Sequence, residues 1–250
     1  MRFILLSIFL IPCAVFCQGQ EKISNTYIGF QISPNYSYRL LQNTTDQQVI
    51  DDRIDNLNEN QKPSFGYRVA FTGGTRISKR WSFEGGMAFE RYSGIEKNAS
   101  NYIDPRWGWI AGEYDNLETI TRTDYLGIPF RFVWNSGGEK TKFIASAGFT
   151  PQLLLSRKKR NSYFKDGEVI EETEWNTLED MNDFNVSPLI GIGVEHSLSG
   201  RFFIRSEAIA RFGVLTLERR AALASYIYSV EMNIGLYMNL FEKEKSYWSY

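Results

Sequence analysis

The chain has 250 residues, of which 43% are hydrophobic and 15% aromatic, so it can form a sizeable folded domain and is not a disordered chain. Its formal net charge of −1 argues against a nucleic-acid partner. After the first residues, no run approaches the roughly 20 apolar residues that a membrane-spanning helix requires. That observation excludes helical insertion only, because a membrane β-strand needs just about 10 alternating residues.

The N-terminus, MRFILLSIFLIPCAVFCQGQ, has a basic residue, an apolar stretch and a polar break. This is the anatomy of a secretory signal peptide, and we predict one at residues 1–19; a buried strand or helix is the alternative. Cys13 and Cys17 lie at or before the expected cleavage point, so we expect no disulfide in the mature chain. Cys17 is also a candidate for lipidation, although Phe16 is bulkier than the residue that usually precedes such a cysteine.

Eight later segments alternate apolar and polar residues with a period of two, which predicts β-strands. In chain order they are TYIGFQISPNYSYRL, FGYRVAFTG, WSFEGGMAFERY, DYLGIPFRFVW, FIASAGFTPQLLLS, VSPLIGIGVE, FFIRSEAIARFGV and a last strand from Tyr226 to Leu240. Pro129 and Pro188 fall inside two of these strands. Because proline removes a donor from the hydrogen-bond ladder, we expect a bulge or irregularity at each.

The connections between these strands alternate in length. SKR, NSGGEK and LSG are hairpin-sized, whereas the other four joins are long and polar. All short turns therefore lie at one end of the sheet, as in an outer-membrane barrel with turns in the periplasm and loops outside. A soluble eight-stranded barrel is the alternative, but it has no reason to sort its loops in this way. Aromatic residues also collect at the strand ends, as two membrane interfaces require.

We therefore predict an all-β fold, an eight-stranded antiparallel up-and-down transmembrane β-barrel with four long outer loops and three short periplasmic turns. The barrel covers residues 20–241, and a polar and aromatic tail follows at 242–250. Its expected location is the outer membrane of a Gram-negative bacterium, where it contacts lipid as a monomer.

The polar rows of the strands carry nine charged residues, whereas the apolar rows carry almost none in their middles. In a soluble fold these charged residues would form the solvent-exposed face of the sheet. In an eight-stranded barrel they line a lumen only wide enough for side chains, and we expect them to pair, because an unpaired buried charge costs several kcal/mol. They are Glu84, Arg131 and Arg205 toward the short turns, Glu207 and Glu231 at the centre, Arg68, Glu90 and Arg211 toward the long loops, and Glu195.

Two stretches, YLGIPFRF and SAGFTPQLLLS, resemble the PorT-type outer-membrane β-barrel family of Bacteroidota, which has a Tyr-Leu-x-Ile-Pro strand, a short turn and a Gly-containing strand ending in Leu-Leu. The later GIGVEHSLSGRFFIRSEA is similar to that family's Gly-x-Gly-apolar-Glu strand, hairpin and charged strand. The resemblance covers about residues 25–241 and implies an eight-stranded barrel. Since the family includes a type IX secretion accessory protein, it also suggests a role in secretion. Gly127 stands where the family usually has an acidic residue, which removes one expected lumen charge.

The sequence offers few groups for catalysis. Its single histidine, His196, lies beside a short turn, in the row of residues that we expect to face lipid. It is therefore far from any nucleophile in the lumen or at the outer rim. No Cys/His cluster suggests a transition metal, and the carboxylates of DGEVIEETEWNTLEDMND match no calcium-loop spacing, although weak calcium binding and a solvated acidic loop both remain open. We therefore expect no cofactor and no enzyme activity. The alternative is an outer-membrane enzyme acting on lipid or peptide with a base other than histidine.

Two outer-loop segments are candidate binding surfaces. Trp107, Trp109 and Tyr114 of YIDPRWGWIAGEY are suited to contact a partner protein, or to pack on one another over the barrel mouth. The basic run RKKR at 157–160 is suited to bind lipopolysaccharide phosphates, or to offset the acidic loop that follows. The sequence thus predicts a scaffold or binding protein whose partner it does not identify.

In the last strand, Asn233, Gly235, Met238 and Leu240 follow a polar-x-Gly-x-x-apolar-x-apolar spacing. This resembles the final-strand signal recognised by the barrel-insertion machinery, which is therefore an expected partner. Such signals usually end the chain, whereas FEKEKSYWSY follows here. We expect the apolar row of this strand to face lipid, and Glu231 and Asn233 to face the lumen.

Overall fold

The computed structural model describes residues 26–43, 54–55, 58–99, 116–138, 140–178, 182–217 and 223–240. The predicted signal peptide, the aromatic patch of Trp107, Trp109 and Tyr114, and the tail at 242–250 lie outside these residues. None of the described residues belongs to a helix long and apolar enough to cross a membrane. The strands are β1 (Thr26–Asn43), β2 (Gln61–Arg76), β3 (Trp81–Ala99), β4 (Asn116–Gly127), β5 (Phe130–Asn135), β6 (Thr141–Lys165), β7 (Glu168–Glu172), β8 (Asn176–Thr177), β9 (Phe184–Ser197), β10 (Phe202–Phe212) and β11 (Leu223–Asn239).

The strands form one closed antiparallel sheet. β1 pairs with β2 on one side and with β11 on the other, so that the first and last strands meet and the sheet has no free edge in the wall. β4 and β5 together take a single place between β3 and β6, while β7 and β8 lie off the closed path and pair with β6. The wall therefore crosses the membrane eight times, and the predicted barrel is confirmed.

Side chains alternate between the two faces of the wall, and the outer face is apolar. In β11, Val230, Met232 and Ile234 are 64%, 51% and 55% exposed, whereas Glu231 and Asn233 between them are buried. A face of this kind is stable only against lipid, because in water it would be a large unpartnered apolar patch. The predicted orientation of the last strand is therefore confirmed.

Aromatic side chains lie at both ends of the wall. Trp81 and Trp134 are cross-strand neighbours on β3 and β5 beside the short turns. Tyr38 and Tyr228 are cross-strand neighbours on β1 and β11 toward the long loops. Rings with one polar group favour the two membrane interfaces, so these pairs mark the limits of the lipid-facing band.

Several strands continue well beyond the membrane on the side of the long loops. β6 has 25 residues and β3 has 19, whereas about 9–11 suffice to cross a bilayer. We refer to residues 93–99, 116–124 and 156–165, together with β7 and β8, as the outer sheet. The sequence predicted loops for most of these residues, because a strand outside the membrane needs no lipid-facing row and so shows no apolar alternation. Cross-strand pairing with β4 and β7 keeps β6 extended as far as Lys165.

The two prolines behave differently. Ile128 and Pro129 interrupt the strand between β4 and β5, and the Ile128 N–H donates to the carbonyl of Pro151 at 2.9 Å, so the irregularity predicted at Pro129 is confirmed. The irregularity predicted at Pro188 is wrong, because β9 runs through it without a break and pairs it with Phe149. The hydrogen-bond ladder between β9 and β10 starts at the next residue, Leu189, and does not include Pro188. The N–H group that Pro188 lacks is therefore at the end of that ladder.

A charged side chain on the outer face tests whether lipid covers it. Ile192 is 60% exposed near the middle of β9, and we expect Ile192→Arg to lower the free energy of unfolding by about 2–4 kcal/mol, because the cation would lie near the bilayer midplane. The matched control is Leu198→Arg, which changes an equally exposed residue in a short turn and should cost about 0–1 kcal/mol. Urea titrations of protein folded into phosphatidylcholine vesicles measure both; equal costs for the two variants would contradict a lipid-facing β9.

Candidate functional site

The nine charged residues predicted for the lumen all lie inside the barrel, and all are buried. They come from β2, β3, β5, β9, β10 and β11, and each takes part in at least one ion pair with another member of the set. They form two groups. The lower cluster, toward the short turns, contains Glu84, Arg131, Glu195, Arg205 and Glu207, and the upper cluster, toward the long loops, contains Arg68, Glu90, Arg211 and Glu231.

Two arginines hold three carboxylates in the lower cluster. Arg131 donates from Nε to Glu84 Oε2 at 2.6 Å and from Nη1 to Glu207 Oε2 at 2.7 Å. Arg205 also contacts Glu84 and donates from Nη2 to Glu195 Oε2 at 2.8 Å. Each guanidinium therefore bridges two carboxylates, which is the arrangement that best offsets the desolvation of buried charges.

Neutral side chains complete the lower cluster. The Tyr27 hydroxyl donates to Glu84 Oε1 at 2.6 Å, and the Tyr237 hydroxyl accepts from Gln31 Nε2 at 2.6 Å. The guanidinium of Arg205 lies 4.7 Å from the centre of the Tyr237 ring, a cation–π contact. The sequence did not predict these three residues as members of the site. They could have been found from the alternation, because each lies in the row of β1 or β11 that faces the lumen.

Cations at the short-turn end reach the lower cluster as well. Lys142 Nζ lies 3.2 Å and Arg76 Nη2 lies 3.6 Å from Glu195 Oε1. Both side chains are partly exposed, so they join the buried cluster to the mouth of the barrel at the short-turn end. The nine lumen residues are four arginines and five glutamates, and these two cations compensate the one surplus negative charge.

The upper cluster has two arginines and two glutamates. Arg68 donates from Nε to Glu90 Oε1 at 3.0 Å, and Arg211 donates from Nε to Glu231 Oε1 at 2.8 Å. Glu90 also accepts from the Tyr92 hydroxyl at 3.1 Å. These charges cancel within the cluster.

One glutamine joins the two clusters. Gln31 accepts at Oε1 from Arg68 Nη1 at 3.1 Å and donates from Nε2 to the Tyr237 hydroxyl at 2.6 Å. Arg131 Nη2 donates to that same hydroxyl at 3.3 Å. The upper and lower clusters are therefore parts of one hydrogen-bonded network that extends along the lumen.

Gly127 faces this network. A Cβ atom at residue 127 would lie 3.2 Å from the carboxyl carbon of Glu90 and 2.8 Å from Thr150 Cγ2. An acidic residue there would place a second carboxylate against that of Glu90. The two negative charges would repel each other, and the side chain would overlap with its neighbours. A glycine at residue 127 therefore leaves room for the Glu90 carboxylate in this barrel.

An apolar layer lies above the upper cluster. Tyr92, Tyr125, Leu217 and Ile227 are all buried and pack together. Leu217 belongs to the connection between β10 and β11, and its N–H donates to the carbonyl of Ser225 at 2.9 Å. Leu217, the last residue described before β11, therefore packs inside the barrel on the side of the long loops.

The remaining predicted site residues take part in none of the ion pairs of this network. Asn233 is buried and accepts at Oδ1 from the Ser33 hydroxyl at 2.9 Å, Gly235 is buried beside the Tyr237 ring, Met238 is half-buried and Leu240 is 36% exposed. His196 Nδ1 lies 2.8 Å from Thr141 Oγ1 at the short-turn end. Within the described ranges, no group of three His, Cys, Asp or Glu side chains is placed to hold a metal ion.

Comparison with known proteins finds one family model and several solved barrels to which this chain is similar. A family model described as outer membrane protein beta-barrel domain matches residues 16–210. Among solved structures, Neisserial surface protein A aligns at 11% identity with a TM-score of 0.43 over 88% of this chain and 100% of that one. OprG from Pseudomonas aeruginosa aligns at 8% identity with a TM-score of 0.39, over 86% and 96% of the two chains. Ail, the attachment invasion locus protein of Yersinia pestis, aligns at 12% identity with a TM-score of 0.36, over 85% and 99%. No curated protein sequence matches this chain.

Glu84 is the residue whose loss should cost the lumen most. Glu84→Gln leaves Arg131 and Arg205 short of a buried counter-charge, so we expect the free energy of unfolding to fall by about 3–5 kcal/mol. The matched control is Glu172→Gln, which breaks a partly exposed ion pair with Arg160 in the outer sheet and should cost about 1 kcal/mol or less. Urea titrations in detergent micelles, followed by heat-modifiable gel mobility, measure both. A Glu84 variant as stable as its control would contradict the paired network.

Proposed function

Because the chain belongs to the outer-membrane β-barrel domain family, we propose that it is a closed, non-enzymatic membrane scaffold that binds a partner through its outer sheet and outer loops. The observation that carries this proposal is the ion-pair network that fills the lumen. A barrel whose interior is occupied by its own paired side chains has no room to transport a solute. Its remaining accessible surface outside lipid is at its two ends.

Three layers of side chains in series support a closed lumen. The lower cluster, the upper cluster and the apolar layer of Tyr92, Tyr125, Leu217 and Ile227 lie one above another along the barrel. Eight strands leave an interior only wide enough for side chains to fill, whereas 16–18-stranded porins leave an aqueous channel. Opening a path for ions would require several buried arginine–carboxylate pairs to separate together.

We expect purified protein in planar lipid bilayers to give no stable single-channel currents. The physical reason is that the paired charges and the apolar layer exclude a continuous column of water from the lumen. A 16-stranded porin inserted into the same membrane is the positive control for conductance. Reproducible large currents from the refolded barrel would contradict a closed scaffold.

The outer sheet is the part of the scaffold best placed to meet a partner. It continues β3, β4 and β6 outside the bilayer, and the segment with Trp107, Trp109 and Tyr114 connects two of these strands in the sequence. Tryptophan is enriched among the residues that contribute most to the affinity of protein interfaces. The resemblance of the sequence to PorT-type barrels supports a more specific role, in which the partner belongs to a protein-secretion machine.

Replacement of the two tryptophans tests the partner surface. We expect Trp107→Ala with Trp109→Ala to lower partner affinity by on the order of 30-fold, as the loss of an aromatic hot spot does. The matched control is Trp248→Ala, in the tail that follows β11. Crosslinking in intact cells with mass spectrometry identifies the partner and measures its recovery, while heat-modifiable gel mobility shows that both variants fold. Recovery of lipids alone would contradict a protein partner, and lipid or peptide turnover that survives the change would favour an enzyme.

Insertion of the barrel is a separate step that involves β11. Asn233, Gly235 and Met238 of the proposed insertion signal lie on β11, which closes the barrel against β1, and Leu240 directly follows that strand. Its apolar members lie on the lipid-facing row, and its polar member faces the lumen. This separation of apolar and polar residues suits a strand that the insertion machinery binds before β11 pairs with β1.

A further inference from the structure

Basic side chains from two strands share the outward face of the outer sheet. Arg122 of β4 lies directly opposite Lys158 of β6, and Ile120 lies directly opposite Arg160. Directly opposed residues of antiparallel strands project to the same side of a sheet. Arg122 and Lys158 are exposed, whereas Arg157 is buried on the inner side. Only part of the run RKKR is therefore available at this surface, and Arg122 from another strand joins it.

We refer to Arg122, Lys158, Arg160 and Trp175 as the basic face. Its two arginines are held by the indole of Trp175, whose ring centre lies 4.3 Å from the guanidinium carbon of Arg122 and 5.3 Å from that of Arg160. Such cation–π contacts orient a guanidinium without neutralising its charge. Tryptophan itself favours the headgroup level of a membrane.

The basic face lies just above the lipid-covered part of the wall. Leu153 and Leu155 on β6 are 50% and 52% exposed and belong to the apolar outer row. Lys158 is three residues beyond Leu155 on the same strand, which is a distance of about 10 Å along the strand at about 3.3 Å per residue. Because a membrane strand is tilted by about 45°, Lys158 lies about 7 Å above Leu155 along the membrane normal. The cations of the basic face therefore lie where lipid headgroups begin.

Within the described part of the chain, only one of the three cations of this face has a carboxylate partner. Among the described residues, Arg160 pairs with Glu172 at 3.2 Å, whereas Arg122 and Lys158 have no carboxylate within ion-pairing distance. Like charges directly opposite each other destabilise a sheet unless an anion lies between them. The nearest acidic group on the strand below Arg122 is Asp124, and Arg91 binds both of its oxygens, at 2.7 and 2.9 Å.

We propose that the basic face binds the lipid A phosphates of lipopolysaccharide in the outer leaflet. A phosphate carries several acceptor oxygens and suits two guanidinium groups and an ammonium group on one surface. The acyl chains of the same lipid would cover Leu153 and Leu155 below, so that one molecule satisfies both the apolar and the basic part of this strand pair. The inference rests on the proposed orientation, in which the long loops lie outside the cell.

Binding to purified lipids tests the inference. Full-length protein refolded in detergent without lipopolysaccharide is titrated with bisphosphorylated lipid A and, separately, with dephosphorylated lipid A. We expect Arg122→Gln, Lys158→Gln and Arg160→Gln together to weaken binding of the bisphosphorylated lipid by at least about tenfold. The matched control removes three exposed cations at the opposite end of the barrel, by Lys79→Gln, Arg80→Gln and Arg201→Gln, and should bind as the wild type does.

Several results would overturn the inference. They are equal affinity of the two triple variants, equal affinity of the wild type for lipid A with and without phosphates, or tight binding of a soluble acidic polysaccharide with no preference for lipid A. Unchanged heat-modifiable gel mobility shows that each variant is folded. Orientation is measured separately, by labelling Lys165→Cys in intact cells with a membrane-impermeant thiol reagent. An unlabelled cysteine would overturn both this inference and the proposed scaffold, whereas failure of lipid binding alone leaves the scaffold intact.

Discussion

Backbone hydrogen bonding in lipid is the constraint on which this structure depends. The hydrocarbon interior offers no water to an exposed N–H or C=O group, so a sheet that crosses it must close on itself. Pairing of β1 with β11 from Tyr27 to Asn43 provides that closure. Once the sheet is closed, the two rows of each strand have fixed environments, with the apolar row in lipid and the polar row inside. Exposed Val230 beside buried Glu231 is the direct consequence.

Closure at eight strands also determines the chemistry of the lumen. The interior is narrow enough for side chains to fill, and charged groups inside it need counter-charges within hydrogen-bonding distance. Arg131 and Arg205 each bridge two carboxylates for this reason. Glycines supply the remaining space: a Cβ at Gly127 would press on Glu90, and one at Gly191 would lie 2.8 Å from the Glu207 carboxylate. The network thus explains both the charged and the smallest residues of the inner rows.

Outside the bilayer the same strands are under a different constraint. Neither face of the outer sheet meets the hydrocarbon interior, so its residues do not have to form an apolar lipid-facing row. The proposed partner-binding and lipid-binding surfaces both depend on this change of environment along a single pair of strands. β6 carries Leu155 against lipid and Lys158 only three residues later, and its neighbour β4 adds Arg122 at the same level.

The amino-acid sequence by itself determined the period of two, the eight crossings, the sorting of the loops and the nine lumen charges, because each depends on residues close together in the chain. Only the tertiary structure decided which charges meet. Glu207, predicted at the centre beside Glu231, bonds to Arg131 in the lower cluster, whereas Glu231 pairs with Arg211 in the upper one. The continuation of β6 to Lys165 and the meeting of Arg122 with Lys158 were equally invisible in the sequence. The physical reason is that pairing depends on the stagger between neighbouring strands, which the closed wall sets as a whole and no single strand encodes.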